Sequence, residues 1–317
     1  MIVAAFGSLP VQATRPFRFV REHQFFMSES QDSDLDKRGE ELNAQRFQML
    51  ADIAKELAGE VVFPTYFDAA FRLRRELQNP ELPLSRMATI VSLEPLVASR
   101  LMNLAGSVMY SPDGSAPRDL KTAIKRLGIE VVRTTALAIA MNQLMRSKET
   151  AVFSDLARLL WDHSMKSAAA TRLLARKFTR INPDEAMLAG LVHDLGAFYM
   201  LYRAAQYSEL RVRPDSVRFL ILQWHESIGV TLFGSLDMPD EVVIADTDHD
   251  QVQPLPETPR SLADLVYLGN LLAGGHTAWS GVAEEDYADL LSAAAEQYAD
   301  LLPAIENDAK AMLSVFV

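Results

Sequence analysis

Apolar residues recur along this chain with the period of an α-helix. In one stretch, Leu50, Ile53, Ala54 and Leu57 occupy positions i, i+3, i+4 and i+7, and Gly59 follows as a stop signal. No segment shows sustained alternation of apolar and polar residues between turn signals, which is the pattern of a half-buried strand. The sequence therefore predicts an all-α fold, and 317 residues with 49% hydrophobic content are enough to bury a large core.

The composition limits the chemistry and the location of the protein. The chain has no cysteine, so a metal site has to use histidine and carboxylate ligands. No apolar run reaches the ~18 residues needed to span a bilayer. Residues 1–16 lack the basic region that opens a secretion signal. We therefore expect a cytoplasmic protein without a membrane partner, with secretion as the alternative.

Charge is distributed unevenly along the chain. The formal net charge is −11, and residues 233–309 contain sixteen Asp or Glu against the single basic residue Arg260. This acidic half would repel nucleic acid, and the basic residues elsewhere are grouped as on the solvent faces of amphipathic helices. Nucleic acid is therefore not an expected partner, and only the basic helix faces favour that function.

The chain is predicted to consist of an arm and a helical domain. Residues 1–36 form a flexible arm, because residues 28–36 are polar and acidic with almost nothing to bury. Residues 37–317 form the domain, in which Asn182 and Pro183 mark a helix start before the apolar run 186–202. This run is expected to be one buried helix, and further helices are expected at 129–146, 215–234, 240–248, 261–273 and 286–301.

A histidine and an aspartate lie side by side in the apolar run 186–202. They are His193 and Asp194. Burying an ionised carboxylate without a partner costs several kcal/mol, so a divalent cation, a salt bridge or a helix N-terminus should neutralise Asp194. Imidazole with carboxylate suits Mn, Fe, Ni or Zn better than Ca. A hydrogen-bonded pair without metal is the other interpretation.

The remaining histidines have ordinary explanations when each is taken singly. His163 fits a half-exposed helix position, His225 fits the edge of the core, and the acids on either side of His249 favour an imidazolium. His23 and His276 are expected at the surface.

The order of these residues along the chain resembles the HD phosphohydrolase superfamily. The order is His163, then the run HDLG at 193–196, then His225-Glu226, then His249. The segments 92–110, 119–138 and 225–250 make the chain more similar to the HDOD branch, over residues 61–276 in all.

The resemblance implies a multi-helix HD-type bundle with an N-terminal helical lobe, followed by C-terminal helices over 277–317. It also implies a metal pocket. The residues that match the superfamily's ligands are His163, His193, Asp194, His225 and His249.

Two departures from the superfamily predict a degenerate site. Ala197 stands where relatives with a GYP-type domain usually carry Lys, so a cation that holds phosphate is missing. Asn270 stands where the superfamily has its closing Asp, and Asn is a weaker ligand. Asp264, six residues earlier, is the alternative carboxylate, although that spacing places it on a different helix face.

The resemblance to HDOD proteins implies a bacterial signal-transduction protein that binds other signalling proteins, in a cyclic-dinucleotide or chemotaxis network, without turning over a substrate. The alternative is a metal-dependent phosphohydrolase or phosphodiesterase, in which one or two metals activate water against a nucleotide or cyclic dinucleotide. The two departures favour the first function. The cofactor is then either none or a divalent metal, and a homo-oligomer is compatible with both functions.

Overall fold

The computed structural model describes residues 40–57, 65–77, 79, 81–113, 115–236, 238–282 and 285–316. Every regular element in these residues is a helix, which confirms the all-α prediction. Within the same residues, no helix is both long and apolar enough to cross a bilayer. The predicted arm at residues 1–36 and His23 lie outside the described residues.

The helices are numbered here in chain order. The first part contains α1 (Glu40–Leu57), α2 (Thr65–Glu76), α3 (Leu84–Ser92), α4 (Pro95–Ala105), α5 (Leu120–Leu127) and α6 (Ile129–Met145). A 3-10 turn (Thr150–Phe153) leads into α7 (Ser154–Phe178), α8 (Pro183–Val192), α9 (Leu195–Ala204), α10 (Ser208–Arg211) and α11 (Pro214–Ser235). The last part contains α12 (Asp240–Asp246), α13 (Leu262–Leu272), α14 (Thr277–Ser280), α15 (Glu285–Gln297), a 3-10 turn (Ala299–Leu301) and α16 (Leu302–Phe316).

Helices α2 to α6 pack against one another and form an N-terminal lobe. Helix α5 packs on α3 and α4, and α6 packs on α2 and α4. Helix α1 packs instead on α9, α10 and α11. Glu56 of α1 accepts hydrogen bonds from Tyr199 and Arg203 of α9, so α1 is fixed to the helix that follows the His193-Asp194 pair.

Helix α7 lies at the centre of the second part, and α8, α13, α14 and α16 all pack against it. Two glycines allow the closest of these approaches. A β-carbon at Gly190 of α8 would lie 2.3 Å from Thr171 Oγ1, and one at Gly269 of α13 would lie 2.4 Å from Thr171 Cγ2. Because only glycine leaves room at these positions, α8 and α13 approach the same turn of α7 from two sides.

The apolar run 186–202 is not one helix, and the prediction of a single helix was wrong. Helix α8 ends at Val192 and α9 begins at Leu195, with Asp194 at φ −98° and ψ 17° between them. The break lets α9 pack on α11, where a β-carbon at Gly196 would lie only 2.0 Å from the carbonyl oxygen of His225. Tertiary packing of α9 therefore ends a run whose local propensity is helical throughout.

Replacing Gly196 with Ala tests whether this close approach is required. The added methyl group meets backbone, so we expect Gly196→Ala to lower the free energy of unfolding by about 1–3 kcal/mol, as overpacking does. The matched control is Gly234→Ala. Gly234 is an exposed residue of α11, and a β-carbon there meets nothing within 4 Å. The control should be neutral or stabilising by up to about 1 kcal/mol. Urea denaturation measures both, and equal stability of the two variants would contradict the proposed packing constraint.

Candidate metal centre

Five side chains from separate parts of the fold converge in the interior. They come from the middle of α7, the break between α8 and α9, α11, and the turn after α12. None of these side chains is more than 2% exposed. We call this set the His-Asp cluster, and it consists of the residues that the sequence placed in a metal pocket: His163, His193, Asp194, His225 and His249.

Hydrogen bonds to the backbone fix which ring nitrogen faces the centre of the cluster. Nδ1 of His193, His225 and His249 lies 2.9, 2.8 and 2.7 Å, respectively, from a carbonyl oxygen three or four residues earlier. A carbonyl oxygen only accepts, so each of these Nδ1 atoms carries the proton. When these three rings are neutral, each Nε2 therefore presents a lone pair to the cluster.

The Nε2 atoms of the cluster meet in two pairs. Those of His163 and His193 are 3.1 Å apart, and those of His225 and His249 are 3.3 Å apart. In the second pair both nitrogens bear lone pairs when the rings are neutral, and such a pair is repulsive unless a proton or metal ion lies between them. The second imidazole pair therefore requires a proton or a metal ion between its two nitrogens.

Asp194 lies between the two imidazole pairs. Its Oδ2 is 3.6 Å from Nε2 of both His163 and His193, and its Oδ1 is 3.5 and 3.6 Å from Nε2 of His225 and His249. Neither oxygen has a hydrogen-bond partner among the described residues. Protonated imidazoles or a metal ion would each supply the positive charge that the buried carboxylate needs.

The other ways of neutralising Asp194 are only partly realised. In the described part of the chain, its ion-pair partners are the four histidines of the cluster. It is the N-cap residue of α9, where the helix dipole favours a negative charge. Its side chain makes no capping hydrogen bond, so both oxygens stay free for a ligand in the cluster.

Asp250 is a candidate metal ligand that the sequence analysis missed. Its Oδ2 lies 3.3 Å from Nε2 of His225 and 3.9 Å from Nε2 of His249. Its position beside His249 was the available signal, but it was interpreted only as a flanking charge. Within the described residues, the candidate metal ligands then form two groups: His163, His193 and Asp194 in one, and His225, Glu226, His249 and Asp250 in the other.

Asn270 positions Asp250. Its Nδ2 donates to Asp250 Oδ1 over 2.7 Å and to the His249 carbonyl over 2.9 Å. Asp250 therefore supplies a carboxylate to the cluster where the superfamily has its closing Asp at position 270, and Asn270 orients that carboxylate. Asp264 does not substitute, because its side chain is engaged in a capping box with Ser261 at the start of α13.

The expectation that His276 lies at the surface was wrong. Its side chain is 14% exposed, and its Nδ1 lies 3.7 Å from Asp250 Oδ1. Ala197, at the position of the missing Lys, is fully buried.

Burial and charge move the pKa values of the cluster in opposite directions. Burial lowers the pKa of His163 and lowers that of His193 to about 3. Burial would raise the pKa of Asp194, but the surrounding imidazoles, His193 first, hold it below its ordinary value. Burial would lower the pKa of His225, but the hydrogen bond that it donates to Asp250 and the charge of Asp194 raise the pKa to about 9. The metal-free cluster is thus an ionised carboxylate among neutral and protonated imidazoles.

The donor set fits divalent cations. Two ligand atoms bound to one ion at ~2.1 Å lie ~3.0 Å apart at a right angle and ~3.4 Å apart at the tetrahedral angle. The two Nε2 pairs, at 3.1 and 3.3 Å, fall within this range. Asp194 supplies an oxygen to each pair, and Asp250 supplies one to the second. Imidazole with carboxylate suits Mn, Fe, Ni or Zn.

Metal binding should release protons at neutral pH. Since the pKa of His225 is raised to about 9 in the metal-free protein, its Nε2 carries a proton that a metal has to displace. We expect at least one proton to be released per protein, and an affinity that rises with pH until the pKa of His225 is passed. Calorimetric titration with zinc in two buffers of different ionisation enthalpy measures the release. Equal enthalpies in the two buffers would contradict it.

Fold and histidine order together define a helical protein of the HD type. The family model of the HDOD domain matches residues 63–252, more than half of the chain. The protein belongs to the HDOD family, as the order of its histidines had indicated.

Two solved structures are similar to this chain. One, from Shewanella amazonensis SB2B, has a name that contains the words "metal-dependent phosphohydrolase". It is 22% identical to this chain, the match covers 86% of this chain and 100% of the other, and the TM-score is 0.68. The other, from Marinobacter aquaeolei VT8, has a name that contains the words "signal transduction protein"; it is 20% identical, covers 89% of this chain and 68% of that chain, and has a TM-score of 0.50. At these identities the two structures show a shared fold.

A curated relative is also similar in sequence. It is an uncharacterized protein of Treponema pallidum (strain Nichols), 21% identical over 245 residues, which are 73% of this chain and 45% of that protein. The chain thus spans less than half the length of this relative.

Proposed function

We propose that this HDOD protein is a regulatory signalling protein that holds a divalent metal in the His-Asp cluster and acts by binding other proteins. The observation that carries the proposal is the burial of the cluster, whose side chains are at most 2% exposed. Metal-dependent hydrolysis needs an open coordination position that substrate and water both reach. A cluster with this burial serves to hold helices together.

The metal would act on the stability of the fold. Its ligands come from α7, the α8–α9 break, α11 and the turn after α12, which are far apart in the sequence. An ion that binds the assembled ligands of the folded protein, and not the unfolded chain, stabilises the folded state by mass action. Metal occupancy would therefore set the rigidity of the helices around α7, and a change in rigidity is a property that a binding partner can sense.

The partners we propose are other signalling proteins of a cytoplasmic cyclic-dinucleotide or chemotaxis network. Membership of the HDOD family and the name of the Marinobacter aquaeolei relative support this class of partner. Position 197 supports a role without turnover, because its residue is a buried alanine and not a lysine that could hold a phosphate.

A second function, metal-dependent hydrolysis of a nucleotide or cyclic dinucleotide, is favoured by the position of Asp194. Two-metal hydrolases place their ions ~3.5–4 Å apart, and Asp194 directs one oxygen toward each imidazole pair. Such a role requires a route from solvent to the cluster.

Metal content and turnover test these functions together. We expect protein purified without chelator to contain a divalent metal, and Asp194→Asn to bind it at least about tenfold more weakly, because a ligand is lost. The matched control, Asp264→Asn, changes a half-buried acid outside the cluster and should bind metal as the wild type does. Elemental analysis and titration measure both variants.

The same preparations should show no turnover of phosphomonoesters, phosphodiesters or cyclic dinucleotides. Metal-free wild-type protein that also fails to take up added metal would contradict the proposed metal centre. Turnover that Asp194→Asn abolishes would replace the regulatory function by the hydrolytic one.

A further inference from the structure

A short segment between α13 and α15 packs directly on the second imidazole pair, His225 and His249. We call residues 274–282 the plug; they comprise the turn before α14, α14 itself and the two residues after it. The Trp279 ring stands edge-on to the His225 ring, with centroids 5.8 Å apart at 83°. His276 Nδ1 lies 3.7 Å from Asp250 Oδ1. Trp279 is only 1% exposed, so the plug closes one side of the cluster.

Tyr287 at the start of α15 holds the plug in place. Its ring stacks on His276 with centroids 4.1 Å apart, and its hydroxyl donates to Asp250 Oδ1 over 3.4 Å. A β-carbon at Gly275 would lie 2.2 Å from the Tyr287 hydroxyl. The closed position therefore depends on glycine at 275.

Both ends of the plug carry glycines in the left-handed region. Gly274 and Gly275 have φ of +101° and +55°, and Gly281 has φ of +71°. Glycine crosses between positive and negative φ at little cost, so these are positions where a segment turns as a unit. Between them lies a single helical turn, Thr277–Ser280, which has little stability of its own.

The closed plug leaves one buried donor without a partner. Nε1 of Trp279 has no hydrogen-bond partner among the described residues. Water would satisfy this atom if the plug moved out, so its desolvation opposes closure. Most hydrogen bonds of the plug are local, within residues 274–282, so the segment can keep them while it moves as a unit. A short segment of this kind between flexible glycines belongs to the parts of a protein that can open before the whole unfolds.

We propose that the plug is a gate coupled to the metal centre: a filled cluster holds the plug closed, and metal enters and leaves only when the plug swings out. The plug rests on His225 and Asp250, which the metal would fix in place. An empty cluster leaves these two side chains freer, and the surface beneath Trp279 and His276 is then less well defined. The coupling is reciprocal, so opening the plug weakens metal binding. This inference rests on the proposed metal centre.

Thiol labelling measures opening directly. The chain has no cysteine, so Ser280→Cys places a single thiol in the plug, where Ser280 is 6% exposed. The matched control is Ser216→Cys in α11, at 0% exposed. With an aromatic disulfide reagent under native conditions, we expect the plug thiol to react at least about tenfold faster than the control, and zinc to slow only the plug thiol. Equal rates at the two positions, or a rate that bound zinc leaves unchanged, would overturn the gate.

Zinc release tests the same coupling from the side of the metal. With excess chromogenic chelator, zinc should leave Trp279→Ala at least about tenfold faster than wild-type protein, because the plug no longer packs on His225. Tyr298→Ala is the control: Tyr298 is a buried aromatic of the same region, 5% exposed, that packs on Phe178 instead. It should release zinc at the wild-type rate.

The two experiments separate failure of the gate from failure of the metal centre. Equal release from Trp279→Ala and wild-type protein, both loaded with zinc, overturns the gate and leaves the metal centre standing. If the wild type binds no zinc, the metal centre and its coupling to the plug both fail. The ratio of labelling rates in metal-free protein still decides whether the plug opens independently.

Discussion

The carboxylate of Asp194 is the group on which the rest of the structure depends. It is fully buried, and its two oxygens face two pairs of imidazoles without accepting a hydrogen bond among the described residues. A buried carboxylate among imidazoles persists only when protons on those rings or a metal ion balance its charge. The packing of the helices positions this carboxylate. The break between α8 and α9 directs Asp194 into the cluster, and Gly196 lets α9 lie against the His225 backbone.

The apolar period of the sequence predicted the helical fold, and the chemistry of His193 and Asp194 indicated a neutralised buried pair. The other three members of the cluster were predicted only through the resemblance to the HD superfamily. The sequence did not predict the break at His193-Asp194, since the apolar run continues on both sides and only packing ends the helix. Asp250 was overlooked because an acid beside a helix end has an ordinary explanation. The contacts of His276 and Asn270 with Asp250 depend on how α12, α13 and α14 come together, which local pattern does not encode.

Burial connects the site with the function. The same ligands that would serve a hydrolase are enclosed here, and an enclosed metal stabilises a fold without meeting a substrate. The segment that covers the second imidazole pair would decide between the two roles. Trp279 and His276 belong to the part of the chain that follows the HDOD match at residues 63–252, so the proposed gate lies outside the matched region.

Anomalous diffraction from zinc-loaded crystals is the most direct test of the central claim. The account predicts a zinc peak at ~2.0–2.2 Å from an Asp194 carboxylate oxygen and from an Nε2 atom of the His-Asp cluster. Crystals that contain zinc elsewhere but show no peak at Asp194, with protonated imidazoles donating hydrogen bonds to both of its oxygens, would contradict it.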